Sequence, residues 1–412
     1  MVAVIAFVLL VYGYSLLSRR FEGTVVTIPL AFAVAGLALA FASPGLVRQE
    51  LDSPVWLILA EITYAIVLFN GATRVNYRVL RRQARLPGRL LIIGLPLTIV
   101  LGTLAASLVL PELSLWEAGV LACILAATDT GLAELAVQSP KVPASIREAL
   151  TAESGLSDGL VVPFLMLFIS LVKADAAGLG SVFVDVALKQ IVYAVPVGAI
   201  IGFAGGWLLG LARQRGWASA PFLQLATISL APLCLILAES IGTSPFIAAF
   251  VAGLVLPAGF RDASDGIVEF SENEGRLLHM FVFFLFGMSA ASTLGQTILA
   301  PVLYAILSLT VVRMLPVAIS MIGTRLNVAS VLYLGWFGPR GLGTIVLGLV
   351  AAQEVRAAGT PSVRLALTAT VLLSIFAHGS SAGPGISLYA RKIAPLDADA
   401  PEYRAASGMP ES

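Results

Sequence analysis

Apolar runs long enough to cross a lipid bilayer follow one another along almost the whole chain. A membrane-spanning helix needs about 20 apolar residues, and glycines, prolines and clusters of charge separate the runs. Apolar residues make up 58% of the 412 residues and charged residues only 12%, about half of the charged share of a soluble domain. This pattern excludes a soluble enzyme, a nucleic-acid-binding protein and a disordered chain. It predicts an all-α integral membrane protein.

We predict thirteen transmembrane helices in these runs. Their expected positions are residues 2–18, 24–43, 54–71, 90–110, 115–137, 147–172, 182–211, 219–239, 243–259, 277–293, 297–321, 328–353 and 365–386. Basic residues favour the cytoplasmic side, and Arg19 and Arg20 follow the first run. We therefore expect the N-terminus outside, the C-terminus in the cytoplasm and a location in the plasma (inner) membrane.

The distribution of basic residues supports this count. Most of the 25 lysines and arginines then lie in cytoplasmic segments. The outer segments hold Arg48, Lys173, Arg356 and Arg364. One span more or fewer would invert every later loop and spoil the asymmetry.

Ionisable residues inside the spans are candidate functional residues, because a charge at the centre of a membrane helix costs about 2.5–3.5 kcal/mol on insertion scales. Four of them favour a structural role, since they lie toward span ends or have a partner within reach: Glu61, Asp185, Lys189 and Glu239. The others concentrate in spans 5, 6, 11 and 12. Cys123, Cys234, His279 and His378 have no metal-ligand spacing, so we predict no cofactor.

Span 5 is interrupted at its middle by Ala-Thr-Asp-Thr-Gly at 127–131. Hydroxyl residues, an acid and a glycine disfavour a continuous helix, and irregular backbone in a membrane is tolerated only where it lines a cavity or is buried in protein. Span 12 carries Gly-Pro-Arg-Gly at 338–341, which predicts a second broken helix. If spans 1–6 and 8–13 are two inverted repeats, the two breaks correspond. Such paired breaks point to a binding site at the midplane of a secondary transporter.

Span 6 carries Glu-Ser-Gly-Leu-Ser-Asp-Gly at 153–159. Ser154 and Asp158 are four residues apart, so both oxygens lie on one helix face. Hard cations prefer oxygen ligands, and these two residues with the carbonyls around Thr128 could supply such a shell. Alternatively, the hydroxyls bond to carbonyls of their own helix and Asp158 belongs to a structural ion pair.

Two arginines, Arg313 in span 11 and Arg340 in span 12, need acidic partners, and Glu153 and Asp129 are available. We predict that Glu153 pairs with Arg313 as a structural clamp. An acid locked to an arginine cannot exchange protons near neutral pH. Asp158 is then the carboxylate expected to exchange them.

In combination, several stretches resemble the NhaP-type sodium/proton antiporters of the monovalent cation:proton antiporter-1 family. They lie at 67–71, 79–82, 127–129, 153–159, 244–253, 283–287, 313 and 338–341. The chain departs from the family pattern at three positions. Ser157 stands for an asparagine, Thr130 for a proline and Asn70 for a glutamate, which puts ion preference in doubt more than exchange itself.

The resemblance implies a homodimer with a mobile six-helix core and crossed, unwound spans 5 and 12. It divides the chain into dimerisation helices at 1–89, core helices at 90–172, linker and dimerisation helices at 182–293 and core helices at 297–386. A polar tail at 395–412 is predicted to be disordered.

The resemblance also assigns roles to residues. Asp158 binds the cation or the proton, and Ser154 and the Thr128 main chain are further ligands. Asp129, beside the unwound crossing, is a further expected ion- or proton-binding residue. The supporting residues are Glu153, Arg313, Ser157 and Arg340, and Arg340 also sits beside the crossing.

The hypothesis that follows is exchange of Na⁺ or Li⁺ for H⁺, 1:1 and electroneutral, by an elevator movement of the core. A K⁺/H⁺ antiporter with the same mechanism is the nearest alternative. Three alternatives belong to other functional classes. They are a cation channel, a non-transporting sensor and an intramembrane protease that uses Asp129 and Asp158.

Overall fold

The computed structural model describes residues 2–21, 24, 26–45, 54–73, 85–129, 131–177, 190–260, 265–293, 299–355, 360–397 and 400–403. Within these ranges the chain forms helices and no strand. The predicted Thr130 contribution to the first break lies outside the described residues.

The helices are numbered in chain order. They are α1 (Val2–Phe21), α2 (Ile28–Ala42), α3 (Pro54–Thr73), α4 (Arg85–Arg89), a π-helical turn (Leu90–Gly94), α5 (Leu95–Val109), α6 (Leu115–Ile124), α7 (Glu134–Gln138), α8 (Ala144–Ala177), α9 (Ala194–Gln214), α10 (Ala220–Ile241), α11 (Pro245–Gly259), α12 (Asp265–Ala290), α13 (Leu299–Leu309), α14 (Val311–Ser320), α15 (Val328–Trp336), α16 (Leu342–Glu354) and α17 (Pro361–Ile393).

Seven helical stretches in the described part of the chain are long and apolar enough to cross a membrane. Six further apolar helices of 10–17 residues accompany them. The protein is therefore an all-helical, multi-pass membrane protein, as predicted. The exact number of thirteen crossings stays a prediction.

Both predicted interruptions are present. The first interruption separates α6 from α7, which together form the first broken helix pair. Helix α6 starts at a capping box in which Ser114 and Glu117 satisfy each other's backbone N–H groups. It ends at Ile124, and α7 begins only at Glu134. The second interruption separates α15 from α16, which together form the second broken helix pair. Helix α15 is capped by Asn327, whose Oδ1 accepts the Ala329 N–H at 2.8 Å.

The described helices form two compact units. The first consists of Met1–Ser53, Tyr77–Ser157 and Met280–Ser412, and the second of Pro54–Asn76 and Asp158–His279. Both broken helix pairs fall in the first unit. The assignment of ranges to core and dimerisation domains stays a prediction.

Residues 400–403 lie within the predicted tail at 395–412 and contact other parts of the first unit, and the disorder of the tail stays a prediction. The Glu402 side chain is 1% exposed. Its Oε1 accepts the Asn327 N–H at 2.7 Å and the Ser330 hydroxyl at 2.9 Å, and its main-chain oxygen accepts the Ser145 hydroxyl at 2.5 Å. The carboxylate thus sits at the N-terminus of α15, where the helix dipole favours negative charge. The polar composition of the tail gave no sign of these contacts of Glu402.

In the second unit, α9 packs directly on α11 through a run of glycines. Gly198 and Gly202 face the main chain at Ala248 and Ala252, so that a Cβ atom on either glycine would overlap a carbonyl oxygen. Small residues at four-residue spacing allow this close approach in membrane helices. The backbone contact therefore depends on the missing side chains.

We expect Gly202→Ala to lower the free energy of unfolding by about 1–3 kcal/mol, the usual cost of overpacking. Gly13→Ala is the matched control, because no atom lies within 4 Å of the position that its Cβ would take. Thermal unfolding of the purified protein in detergent measures both. Equal melting temperatures for the two variants would contradict the close packing.

Candidate functional site

A buried ion pair joins α8 to α14. Arg313 Nη1 lies 2.5 Å from Glu153 Oε1, and Nη2 lies 2.8 Å from Oε2. Both side chains are about 5% exposed, and Arg313 Nη2 also donates to the Leu334 carbonyl at 3.3 Å. The two-pronged geometry matches the fork of a guanidinium to a carboxylate. The structure thus brings together the two residues that the sequence proposed as a clamp.

Three hydroxyl groups meet where the chain leaves α6. The Thr128 hydroxyl lies 2.9 Å from the Ser157 hydroxyl and accepts the Ser154 hydroxyl at 3.3 Å. The Ser157 oxygen also accepts the Thr128 N–H at 3.3 Å. All three side chains are buried. The result is a compact group of oxygen atoms, which we call the hydroxyl cluster (Thr128, Ser154 and Ser157).

Asp129 ties the two broken helices together. Its N–H donates to the Pro339 carbonyl at 2.9 Å. Its Oδ2 accepts the N–H of Leu342, the first residue of α16, and its Oδ1 accepts the Gly131 N–H, each at 2.7 Å. A carboxylate at a helix N-terminus satisfies an N–H that has no partner within the helix. Asp129 was predicted as an ion-binding residue, and the structure places its carboxylate on main-chain N–H groups.

Arg340 makes the converse contact. The side chain is 0% exposed, and its Nη1 donates to the carbonyls of Ala126 and Ala127 at 2.5 and 3.0 Å. These carbonyls lie just beyond the C-terminus of α6, where the helix dipole favours positive charge. Each broken helix therefore receives a charged side chain from the other.

Asp158 follows Ser157 on α8, which is helical throughout 144–177. The residue is 9% exposed, and its main-chain oxygen accepts the Tyr64 hydroxyl at 3.3 Å. A Cβ atom on the next residue, Gly159, would overlap the Phe250 ring. Asp158 falls in the second unit and Thr128 in the first, so a common ion site for them stays a prediction.

The sequence reasoning missed two residues near the second break. Ser374 accepts the Arg340 N–H on its hydroxyl at 2.8 Å, and His378 lies 1% exposed on the same helix, α17. The signal was present, because His378 is an ionisable residue within a predicted span. Among the described residues, no group of three or more His, Cys, Asp or Glu side chains is placed to hold a resident metal.

We expect Glu153→Gln and Arg313→Gln each to destabilise the protein by about 3–5 kcal/mol, because each leaves an uncompensated buried charge. The double variant should lose less than the sum, since no charge remains buried. Thermal unfolding of the four proteins gives the coupling energy as a double-mutant cycle. Glu112→Gln, at an exposed position, is the control, and additive single losses would contradict the clamp.

Comparison with solved structures supports the fold. The sodium proton antiporter MjNhaP1 from Methanocaldococcus jannaschii superposes with a TM-score of 0.75 at 20% identity, over 95% of this chain and 99% of that one. At this identity the likeness concerns the fold alone.

Comparison with curated proteins gives sequence relatives named as antiporters. A Schizosaccharomyces pombe protein named "probable Na⁺/H⁺ antiporter" is 26% identical over 268 residues, which are 61% of this chain and 35% of that protein. The K⁺/H⁺ antiporter NhaP of Alkalimonas amylolytica is 24% identical over 364 residues, 86% of this chain and 61% of its own length. The chain thus spans between about a third and three fifths of the length of these relatives.

The family pattern described as "Sodium/hydrogen exchanger, transmembrane" matches residues 4–386. This range includes both broken helix pairs, the hydroxyl cluster and Asp158. The chain therefore belongs to the sodium/hydrogen exchanger family of membrane transporters.

Proposed function

We propose that this protein exchanges Na⁺ or Li⁺ for H⁺ across the plasma membrane, with cation and proton competing for Asp158. The observation that carries the proposal is the pair of broken helices locked to each other beside the hydroxyl cluster. Broken helices of this kind line ion sites in secondary transporters. Membership of the exchanger family supports the same reading.

The chemistry of the cluster suits a hard cation. Na⁺ prefers oxygen ligands of the carboxylate, hydroxyl and carbonyl types. Ser154 contributes a hydroxyl oxygen and the Thr128 main chain a carbonyl oxygen, and the Ser154 hydroxyl lies 3.3 Å from that of Thr128, so the two residues are close enough to approach one ion. Asp158 lies four residues beyond Ser154, which places it on the same face of α8. We assign the cation to this set, with Asp129, Arg340, Glu153 and Arg313 holding the surrounding main chain.

Competition for a single carboxylate accounts for coupling. Asp158 carries one proton or one cation, and an empty carboxylate would have to cross the membrane as a buried charge, which is costly. Ser157 does not titrate, so one proton moves for each cation. We propose an elevator-type movement of the core in a homodimer, with the N-terminus outside and the C-terminus in the cytoplasm.

Potassium is the second candidate cation. The Alkalimonas amylolytica relative, which aligns with 86% of this chain, is named a K⁺/H⁺ antiporter. A site built from hydroxyl and carbonyl oxygens does not by its chemistry distinguish Na⁺ from K⁺, since both are hard cations. The same mechanism would serve either ion.

We expect Na⁺ and Li⁺ to dissipate an acid-inside proton gradient in proteoliposomes containing the full chain. Asp158→Asn should reduce the rate to that of protein-free liposomes, because the amide binds neither a proton nor a cation by charge. Glu112→Gln, at an exposed position, is the matched control and should stay within about twofold of the wild type, as surface substitutions usually do.

A response to K⁺ alone would keep the mechanism and change the substrate. Cation flux without proton movement would indicate a channel, and no flux with any of the three cations would favour a sensor. Wild-type transport rates in Asp158→Asn would refute Asp158 as the residue that binds the proton or the cation. Asp129 would then be the next acid to test.

We further expect the exchange rate to be insensitive to membrane potential. A cycle that moves one net charge would gain about 2.3 kcal/mol per 100 mV, whereas a 1:1 exchange of Na⁺ for H⁺ gains nothing. The measurement imposes a potassium diffusion potential with valinomycin at a fixed proton gradient, using Na⁺ as the transported cation. Acceleration that follows the sign of the potential would contradict the 1:1 stoichiometry.

A further inference from the structure

We propose that His378 is a positioning residue that fixes the unwound segment 337–341 between α15 and α16. The inference rests on the exchange function proposed above, because this segment holds the main chain around Thr128. His378 itself has no part in the ion chemistry described so far. Its role follows from the atoms that its ring contacts.

The first contact holds the start of the segment. His378 Nε2 lies 2.9 Å from the carbonyl oxygen of Trp336, the last residue of α15. A carbonyl only accepts hydrogen bonds, so Nε2 carries the hydrogen and donates it. The carbonyls of the last helical turn lack an N–H partner four residues on, and the Trp336 carbonyl also accepts the Gly338 N–H at 2.9 Å. His378 thus supplies a second donor to the carbonyl at which α15 ends.

The second contact holds the end of the segment. With the hydrogen on Nε2, His378 Nδ1 accepts the Ser374 hydroxyl at 3.1 Å, and it also lies 2.9 Å from the Ser374 carbonyl oxygen. The same hydroxyl accepts the Arg340 N–H at 2.8 Å. One turn of α17, from 374 to 378, therefore contacts both edges of the segment. The Trp336 indole adds a third link, because its Nε1 donates to the Ser381 hydroxyl at 2.9 Å.

The segment in turn holds the first broken helix. The Pro339 carbonyl accepts the Asp129 N–H, and Arg340 donates to the Ala126 and Ala127 carbonyls. A shift of the segment would therefore move the main chain next to Thr128. Loosening at His378 should weaken cation binding and leave the maximal rate unchanged.

Two amide variants separate the contact from the mere presence of a polar group. In His378→Gln the side chain is long enough to place its amide N–H₂ where Nε2 stands, whereas in His378→Asn it is one methylene shorter and does not reach Trp336. Thr370→Val is the matched control, because the Thr370 hydroxyl donates within α17 to Ala366 and contacts neither edge of the segment through that bond.

Hydrogen–deuterium exchange of the purified full chain tests positioning without any transport. Amides at Arg340 and Leu342 should exchange about fivefold faster in His378→Asn, the factor expected for one lost hydrogen bond. They should be unchanged in His378→Gln and Thr370→Val. Equal exchange in His378→Asn and His378→Gln, or no acceleration in His378→Asn, would overturn the proposal.

Na⁺-driven exchange in proteoliposomes tests the functional consequence. We expect the apparent KM for Na⁺ to rise about fivefold in His378→Asn with an unchanged maximal rate, and His378→Gln to restore it. An unchanged KM in His378→Asn, or a shifted pH profile in His378→Gln, would refute a purely positioning role. A wild type that moves no cation would refute the proposed function, and hydrogen exchange would still decide on His378.

Discussion

A backbone that breaks inside a membrane must find partners for its N–H and C=O groups within the protein. This requirement governs the first unit. Asp129 satisfies the N–H of Leu342 at the start of α16, and Arg340 satisfies the Ala126 and Ala127 carbonyls after α6. Each helix end receives the charge that its dipole favours. The two breaks therefore supply hydrogen-bond partners to each other.

The buried ion pair of Glu153 and Arg313 connects further helices to this arrangement. Arg313 holds Glu153 on α8 and also donates to the Leu334 carbonyl near the end of α15. One guanidinium thus links the helix that carries Ser154 to the helix that leads into the second break. Buried ion pairs add little net stability, but losing one partner is costly. The pair therefore fixes the position of Glu153, the residue next to Ser154 of the hydroxyl cluster.

Much of this could be predicted from residue types. Clusters of glycine, proline and short polar residues at the middle of two apolar runs predicted both breaks, because such a cluster disfavours a continuous helix. The remaining details depend on main-chain atoms, which a residue pattern does not reveal. Asp129 binds N–H groups, His378 approaches the Trp336 carbonyl, and Glu402 docks on the Asn327 N–H. Sequence shows that a charge needs a partner but not that the partner is a peptide group.

Ser157 illustrates how a small departure from a family pattern can be compatible with the same arrangement. Its hydroxyl lies 2.9 Å from the Thr128 hydroxyl and accepts the Thr128 N–H, so a shorter side chain than asparagine still braces the end of α6. A hydroxyl both donates and accepts, which lets it serve a peptide N–H and a neighbouring oxygen together. It also carries no charge. The acidic residue that follows it, Asp158, is then the group whose charge changes when a proton or a cation binds in the proposed cycle.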